Sequence, residues 1–230
     1  MARLVGMSDL VTRVRRRAGR EGDDTFSTGE CKALISEQYG ELYCAVAETG
    51  LRHFETEGSI AANGATSYTE PSDMLSFVGI DRVLDSAGRR VELAELMAKE
   101  RIDVMGTTGD ATAFQVVDDQ IVLYPKPSTG TYKILYIPQP PDLSIAADTD
   151  QVDVVNPHGE SFLLWGVAVK MLGPKTESDP QLAMAEREAA RERLIDWAIL
   201  RALHQPRRRV IADTPYDPTN PDPTRWRYPP

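Results

Sequence analysis

The 230-residue chain is 41% hydrophobic with a formal net charge of −9, which is enough apolar material for one good-sized core with at most a subsidiary module on it. No run of about 18 apolar residues is present, and the amino terminus "MARLVGMSDLVTRVRRR" lacks the apolar region and small-residue cleavage site of a signal peptide, so a soluble, unexported protein is expected. A chain this acidic repels phosphate and is a poor general nucleic-acid binder.

The charge is uneven. Residues 1–20 hold six arginines (Arg3, Arg13, Arg15, Arg16, Arg17, Arg20) against Asp9, a local +5 that leaves −14 on the remainder. Leu10, Val11, Val14 and Ala18 recur at helical spacing behind Ser8 as N-cap, with the arginines on the other face. That face is either simply solvated or docks on an acidic partner or DNA. "STGE" at Ser27–Glu30 is a capping box. The helix it opens places Cys31, Leu34, Ile35, Gln38, Leu42, Val46 and Thr49 on one face and closes at Gly50. Cys31 and Cys44 stand about 20 Å apart on it, too far to bridge, and read as free core thiols.

From Thr56 to Pro141 the period becomes two. "SYTEP" and "SFVGIDRVLD" read as strands, "SAG" as a turn, and "RRVELAEL" as a returning strand passing into a short helix over "ELMAKERIDVM". "QIVLYPKPSTGTYKILYIPQPP", Gln120–Pro141, reads as a hairpin whose two faces are both partly apolar, ended by prolines that cannot donate to a ladder. A stiff tip of this kind suits a projecting contact element. Asp118 and Asp119 are turn formers.

Past the acidic linker "SIAADTDQVDVV", "PHGESFLLWGVAVKMLG" is helical and apolar almost all round, so it is central or faces another subunit. A last helix spans about Pro180–His204, with small Ala183, Ala185, Ala189 and Ala190 permitting close packing. From Pro206 the chain has seven prolines in 25 residues and no apolar period. It is either a disordered terminus or an extended arm with Tyr216, Trp226 and Tyr228 as anchors among Arg208, Arg209, Arg225 and Arg227.

Catalytic constellations are not apparent. His53, His158 and His204 are scattered, and no HExxH or paired-Cys motif is present. "GPKT" lacks the glycine spacing of a phosphate loop. "DTDQVD" at Asp148–Asp153 begins like a calcium loop, yet has Asp153 where the turn needs Gly and no Glu at the twelfth position. No cofactor and no metal is expected.

The order of elements, the "LYPKP" at Leu123–Pro127, "YKILYIPQPPDLS" at Tyr132–Ser144, and "ESFLLWGVAVKML" with its Ala/Glu/Arg-rich successor together resemble the head-to-tail adaptor (connector) proteins of tailed bacteriophages. The resemblance spans residues 1 to about 205. It implies a mainly α, α+β fold: a helical bundle (1–55 and 156–205) with an inserted β-hairpin or small antiparallel sheet (56–145), followed by an extended Pro-rich arm (206–230). It further implies a structural, non-enzymatic virion protein of the neck, forming a ring, usually of twelve copies, beneath the portal. Such a ring joins head to tail and passes double-stranded DNA without reading its sequence, with no membrane partner. On this pattern the arm docks on the portal through Arg208, Arg209, Tyr216, Arg225, Trp226, Arg227 and Tyr228. The hairpin meets tail or neck proteins through Tyr124, Lys126, Ser128, Thr129, Thr131 and Tyr132, and Arg13, Arg16, Arg17, Phe162 and Trp165 lie between subunits. Reversing the three arginines is then expected to impair the ring and spare the monomer's melting temperature. Two readings from other classes are a tail-borne cell-wall glycan hydrolase, for which no convincing acid pair is visible, and a DNA-binding module on the Arg helix.

Overall fold

The computed structural model describes residues 3–22, 25–85, 88–96, 108–172 and 180–205. In chain order these form β1 (Leu4–Gly6), α1 (Met7–Arg17), α2 (Thr28–Glu48), β2 (Thr56–Ala61), β3 (Ser67–Thr69), β4 (Met74–Val83), β5 (Arg90–Glu92), β6 (Ala94–Glu95), β7 (Ala113–Val117), β8 (Gln120–Tyr124), β9 (Thr131–Pro138), β10 (Gln151–Asp153), α3 (Pro157–Met171) and α4 (Pro180–Leu203). Four helices beside ten strands among the described residues make the chain mixed α+β. A mainly helical reading underweights the strands, because several are two or three residues long and too short to leave a period in the sequence. The helix expected over "ELMAKERIDVM" lies mostly outside the described residues.

The described residues divide into two compact units: those within 3–56, Asp73–Phe77 and 136–205 form one, and those within Glu57–Ser72 and Val78–Leu135 the other. The first holds the four helices. α1 starts two residues earlier than an N-cap at Ser8 requires. Its N-cap, Gly6, supplies no side-chain bond; instead the Met7 and Ser8 N–H groups donate to the carbonyls of Asp150 (2.9 Å) and Asp148 (3.2 Å). The segment before β10 therefore satisfies the orphan donors of a helix 140 residues upstream, while β10 pairs antiparallel with β1. The Ser27–Glu30 capping box on α2 is present in both directions, and Gly50 at φ 76° follows its end. Cys31 is buried, but Cys44 is exposed, because it lies off the face that carries Cys31, Ile35, Leu42 and Val46 inward. Tyr39 and Tyr43 extend that face, with Phe54 stacked on Tyr43 at 3.9 Å.

α3 packs against α1, α2 and α4, which accounts for a helix apolar on nearly every side. Phe162, Leu163, Leu164, Val167, Ala168 and Met171 are all buried. Phe162, expected between subunits, is thus in this chain's own core, and Trp165 is half-buried beneath the Arg17 guanidinium at 4.5 Å. Two glycines permit the approach. A Cβ on Gly166 would lie 2.2 Å from the Gln38 side chain of α2, and one on Gly159 would lie 2.3 Å from the Val154 carbonyl oxygen. α4 buries the seam Ala183, Ala190, Leu194 and Ala198, where small side chains allow the axes to come close.

Glu160, in the first turn of α3, is the charged centre of this unit. Its side chain is 7% exposed and is met by Arg3 Nε at 2.6 Å and Arg13 Nη1 at 2.5 Å. The other arginines of the basic segment also find partners within the chain. Arg15 donates to the Phe26 carbonyl (2.9 Å), Arg20 to the Met171 carbonyl (3.1 Å), and Arg16 pairs with Glu21 at the surface. Arg13 and Arg17, expected between subunits, hold α1 to α3 within the chain.

In the second unit the strands form two four-stranded sheets, in the orders β2-β9-β4-β5 and β3-β8-β7-β6, with β2, β4 and β9 each carrying residues of both units. β7 and β8 make an antiparallel hairpin turned by Asp118–Asp119, with Asp118 at φ 50°. The expected hairpin of β8 with β9 is not formed. β8 lies between β3 and β7, and β9 between β2 and β4, in different sheets. The apolar character of both faces of each strand is the signature of a central strand: Ile121, Val122, Leu123 and Tyr124 are all buried, as are Tyr132 and Ile134 to Ile137.

Two outcomes follow for the helical unit. Arg13→Glu sets a carboxylate against buried Glu160 and is expected to cost about 2 kcal/mol or more, whereas Arg16→Glu, which breaks only an exposed pair, should cost under about 0.5 kcal/mol; denaturant titration of both variants decides it, and equal stabilities would refute the assignment. The second concerns Asp153, whose carboxylate accepts from His53 Nε2 (2.8 Å) and the Val155 N–H (2.8 Å). Burial works to raise its pKa, but the His53 and Val155 hydrogen bonds and the His53 charge outweigh burial and hold it below the ordinary value. The fold thus binds this proton more weakly than the unfolded chain does, so the stabilisation is complete above the ordinary carboxylate range and is lost as pH falls below about 4. Melting curves across that range should drop for the wild type, and His53→Ala should melt lower at neutral pH with a shallower further loss in acid.

Candidate interaction surface

The connector between β8 and β9, residues 125–130, is held by backbone bonds to other segments of its unit. Lys126 bridges to Thr108, and its carbonyl accepts the Gly109 N–H at 3.1 Å. The Pro127 carbonyl accepts from Gly64 (3.1 Å), and the Gly130 carbonyl from Ala62 (2.8 Å). The facing loop is ordered in turn by the Asn63 side chain, which accepts the Ala65 N–H at 3.0 Å, and by Gly64 at φ 79°, a conformation that favours glycine. Within the connector Pro127 is buried, while Lys126, Ser128, Thr129 and Gly130, with Thr131 after them, are exposed, as are Asn63 and Thr66 of the facing loop. The result is a polar crest with hydroxyl and amide groups, a single ammonium and no carboxylate of its own, carried on a backbone fixed at both sides.

Of the residues expected at this tip, Lys126, Ser128, Thr129 and Thr131 are on the crest. Tyr124 and Tyr132 are not available to a partner: they are 6% and 0% exposed. The Tyr132 hydroxyl accepts the Ala111 N–H at 3.1 Å, and burial pushes its pKa up, so it serves as a neutral core group. The loop at Asn63–Thr66 was not singled out from sequence; its "NGAT" is a turn signal, but nothing local shows that it faces the β8–β9 connector. Arg208, Arg209, Tyr216, Arg225, Trp226, Arg227 and Tyr228 lie outside the described residues.

The carboxylates of the "DTDQVD" segment, expected to be a solvated linker, are engaged within the chain. Asp148 pairs with Lys32 at 2.8 Å, Asp150 accepts the Ala147 N–H at 2.7 Å, and Asp153 holds His53. Among the described residues, no three His, Cys, Asp or Glu side chains converge in a metal-binding group, and no helix is long and apolar enough to cross a membrane.

The chain was compared with known proteins. No curated protein matches it. The profile of the SU10 adaptor protein family matches residues 6–218, nearly the whole chain, and takes in the helices, the strands and the crest. As the resemblance implied, the chain belongs to the SU10 adaptor protein family, whose members are structural adaptors of phages.

Proposed function

We propose that the chain is the neck adaptor of a tailed phage, assembled as a ring of twelve copies beneath the portal, joining head to tail and lining the channel through which DNA passes. The observation that carries the tail-side assignment is the crest at residues 126–131, a polar surface whose backbone is fixed from two directions before any partner arrives. A preorganised surface loses little conformational freedom on binding, so its contacts convert efficiently into affinity. The arm from Pro206 supplies the portal contact, with Tyr216, Trp226 and Tyr228 as anchors of the residue types that dominate binding energy. The net −14 outside the first 20 residues gives a channel lining that DNA slides past without adhering.

The crest is tested by Lys126→Glu combined with Thr129→Asp, substitutions that leave the carbonyls of Lys126, Pro127 and Gly130 in place. Assembled particles should keep full heads and lose tails, with the isolated chain melting as the wild type does; particles that retain tails would remove the crest from the interface. For the arm, Trp226→Ala with Tyr228→Ala should weaken capture by the cognate portal at least about tenfold, and unchanged capture would exclude it as the anchor.

A further inference from the structure

The ribbon of β1 and β10 leaves backbone groups without partners. In its register Arg3, Val5 and Met7 carry the bonds between the strands, as the Val154 N–H on the Arg3 carbonyl (2.9 Å) and the Met7 N–H on the Asp150 carbonyl (2.9 Å) mark out. Alternation in an antiparallel pair then turns the Leu4 N–H and C=O and the Gly6 N–H outward, and among the described residues no third strand joins them. Leu4 itself is 59% exposed. Leu182, Met184, Leu200 and Leu203 are exposed as well, but they stand on α4, where the helix bonds its own backbone and a solvated aliphatic side chain is ordinary. An open strand edge is not.

The β1 edge borders an open cleft of about 580 Å³, lined by Arg3, Leu4, Gly6, Asp9, Arg13 and Asp148 among others; β10, by contrast, carries the His53 ring on Asp153. Charge is ordered along this cleft. Arg3 and Arg13 converge on Glu160 at the Leu4 end, each with its side chain still 43% exposed. At the Gly6 end the Asp9 carboxylate, exposed and without a partner among the described residues, lies 3.9 Å from where a Cβ on Gly6 would stand. An occupant that bonds this edge is extended. Running antiparallel to β1, it complements the cleft when it offers a cation, an aliphatic side chain and a carboxylate, in that order.

That order occurs once in the arm that follows α4. Residues 207–214, "RRRVIADT", are its longest stretch free of proline, which could not donate to a ladder, and Val210 and Ile211 favour strands. "TRWRY" at 224–228 also lacks proline but has no carboxylate. The arm leaves the described chain beside the ribbon: Gln205 accepts the Arg52 N–H (3.4 Å), and the neighbouring His53 is bonded to Asp153 (2.8 Å), which stands opposite Leu4. Arg209, four residues past Gln205, reaches about 14 Å, roughly twice the length of β1 from Leu4 to Gly6. We propose that residues 209–213 of the same molecule add to β1 as an antiparallel third strand, with Ile211 opposite Leu4, Arg209 opposite Gly6 and beside Asp9, and Asp213 at the Arg3 end. This contact fixes the root of the arm on the helical unit and goes beyond the portal role proposed above.

Hydrogen exchange of the full-length chain, followed residue by residue by NMR, tests the strand. In the wild type the Leu4 and Gly6 amides should be protected, and Ile211→Pro, which removes the N–H that meets the Leu4 carbonyl, should speed both at least about tenfold. Arg209→Asp should do the same, and adding Asp9→Arg to it should restore protection. The Val5 amide, paired with Val152, should stay slow throughout and report an intact ribbon. Leu4 and Gly6 amides that exchange freely in the wild type, or that neither arm variant moves, would overturn the strand. Leu4→Cys with Ile211→Cys, in a Cys44→Ser background, should close a disulfide within one chain, because bonded antiparallel pairs hold their Cα atoms about 5.5 Å apart. No link, or a link only between chains, would equally overturn it. No portal enters either measurement, so the outcome is independent of the ring reading.

Discussion

The helical unit depends on the pairing of one buried carboxylate, Glu160, with Arg3 and Arg13. An ionised group with so little exposure is tolerated only with full charge and hydrogen-bond compensation, and both partners come from a segment about 150 residues away in sequence. Satisfying Glu160 therefore sets where β1 and α1 lie on α3. Once β1 is there, β10 pairs with it, and the carbonyls of Asp148 and Asp150 arrive at the start of α1. The unusual backbone around α3's entry belongs to the same constraint. Val155 sits at φ 67°, a costly conformation for a β-branched residue, held by the Asp153 side chain on its N–H and followed by the Asn156 cap.

This dependence also explains which features were legible in sequence. The capping box of α2, its inward face, and the limits of α4 were readable because their causes lie within a few residues. The role of the arginines was not, since their partner is a single Glu in an otherwise apolar helix, and a basic helix face looks the same whether it meets solvent, DNA or a buried carboxylate. The short strands β1 and β10 failed for a related reason: three residues carry no period, and their pairing is specified by what surrounds them.

The crest shows the same division at closer range. "PKPSTG" announces a turn, so the exposure of Lys126, Ser128 and Thr129 follows from local chemistry. What the turn connects does not. Two apolar-faced strands joined by a short polar loop are read as a hairpin by default, yet two-sided burial argued for central strands. That evidence was present in Tyr124 and Tyr132, whose alternation would have exposed one of the two faces in an edge hairpin. A hairpin would have stiffened the tip by its own ladder; here stiffness comes from Ala62, Gly64 and Gly109, donors contributed by other loops.

Several cations of the described helical unit are committed within it, and this shapes how it can meet partners. Arg3, Arg13, Lys32, Lys170 and Arg187 all pair with carboxylates of the same chain, and long-range steering by unpaired surface charge is correspondingly reduced. What stands out instead is aliphatic side chains on braced backbone in one unit and neutral polar groups on braced backbone in the other. Surfaces of that kind recognise by shape and by the entropy they have already lost, and their binding is less sensitive to salt than that of a charged patch. On the proposed reading, in which the joined ring has DNA passing close by, this is an advantage. Contacts resting on buried aliphatics and neutral hydrogen bonds are not competed away by phosphate, whereas exposed arginines would be.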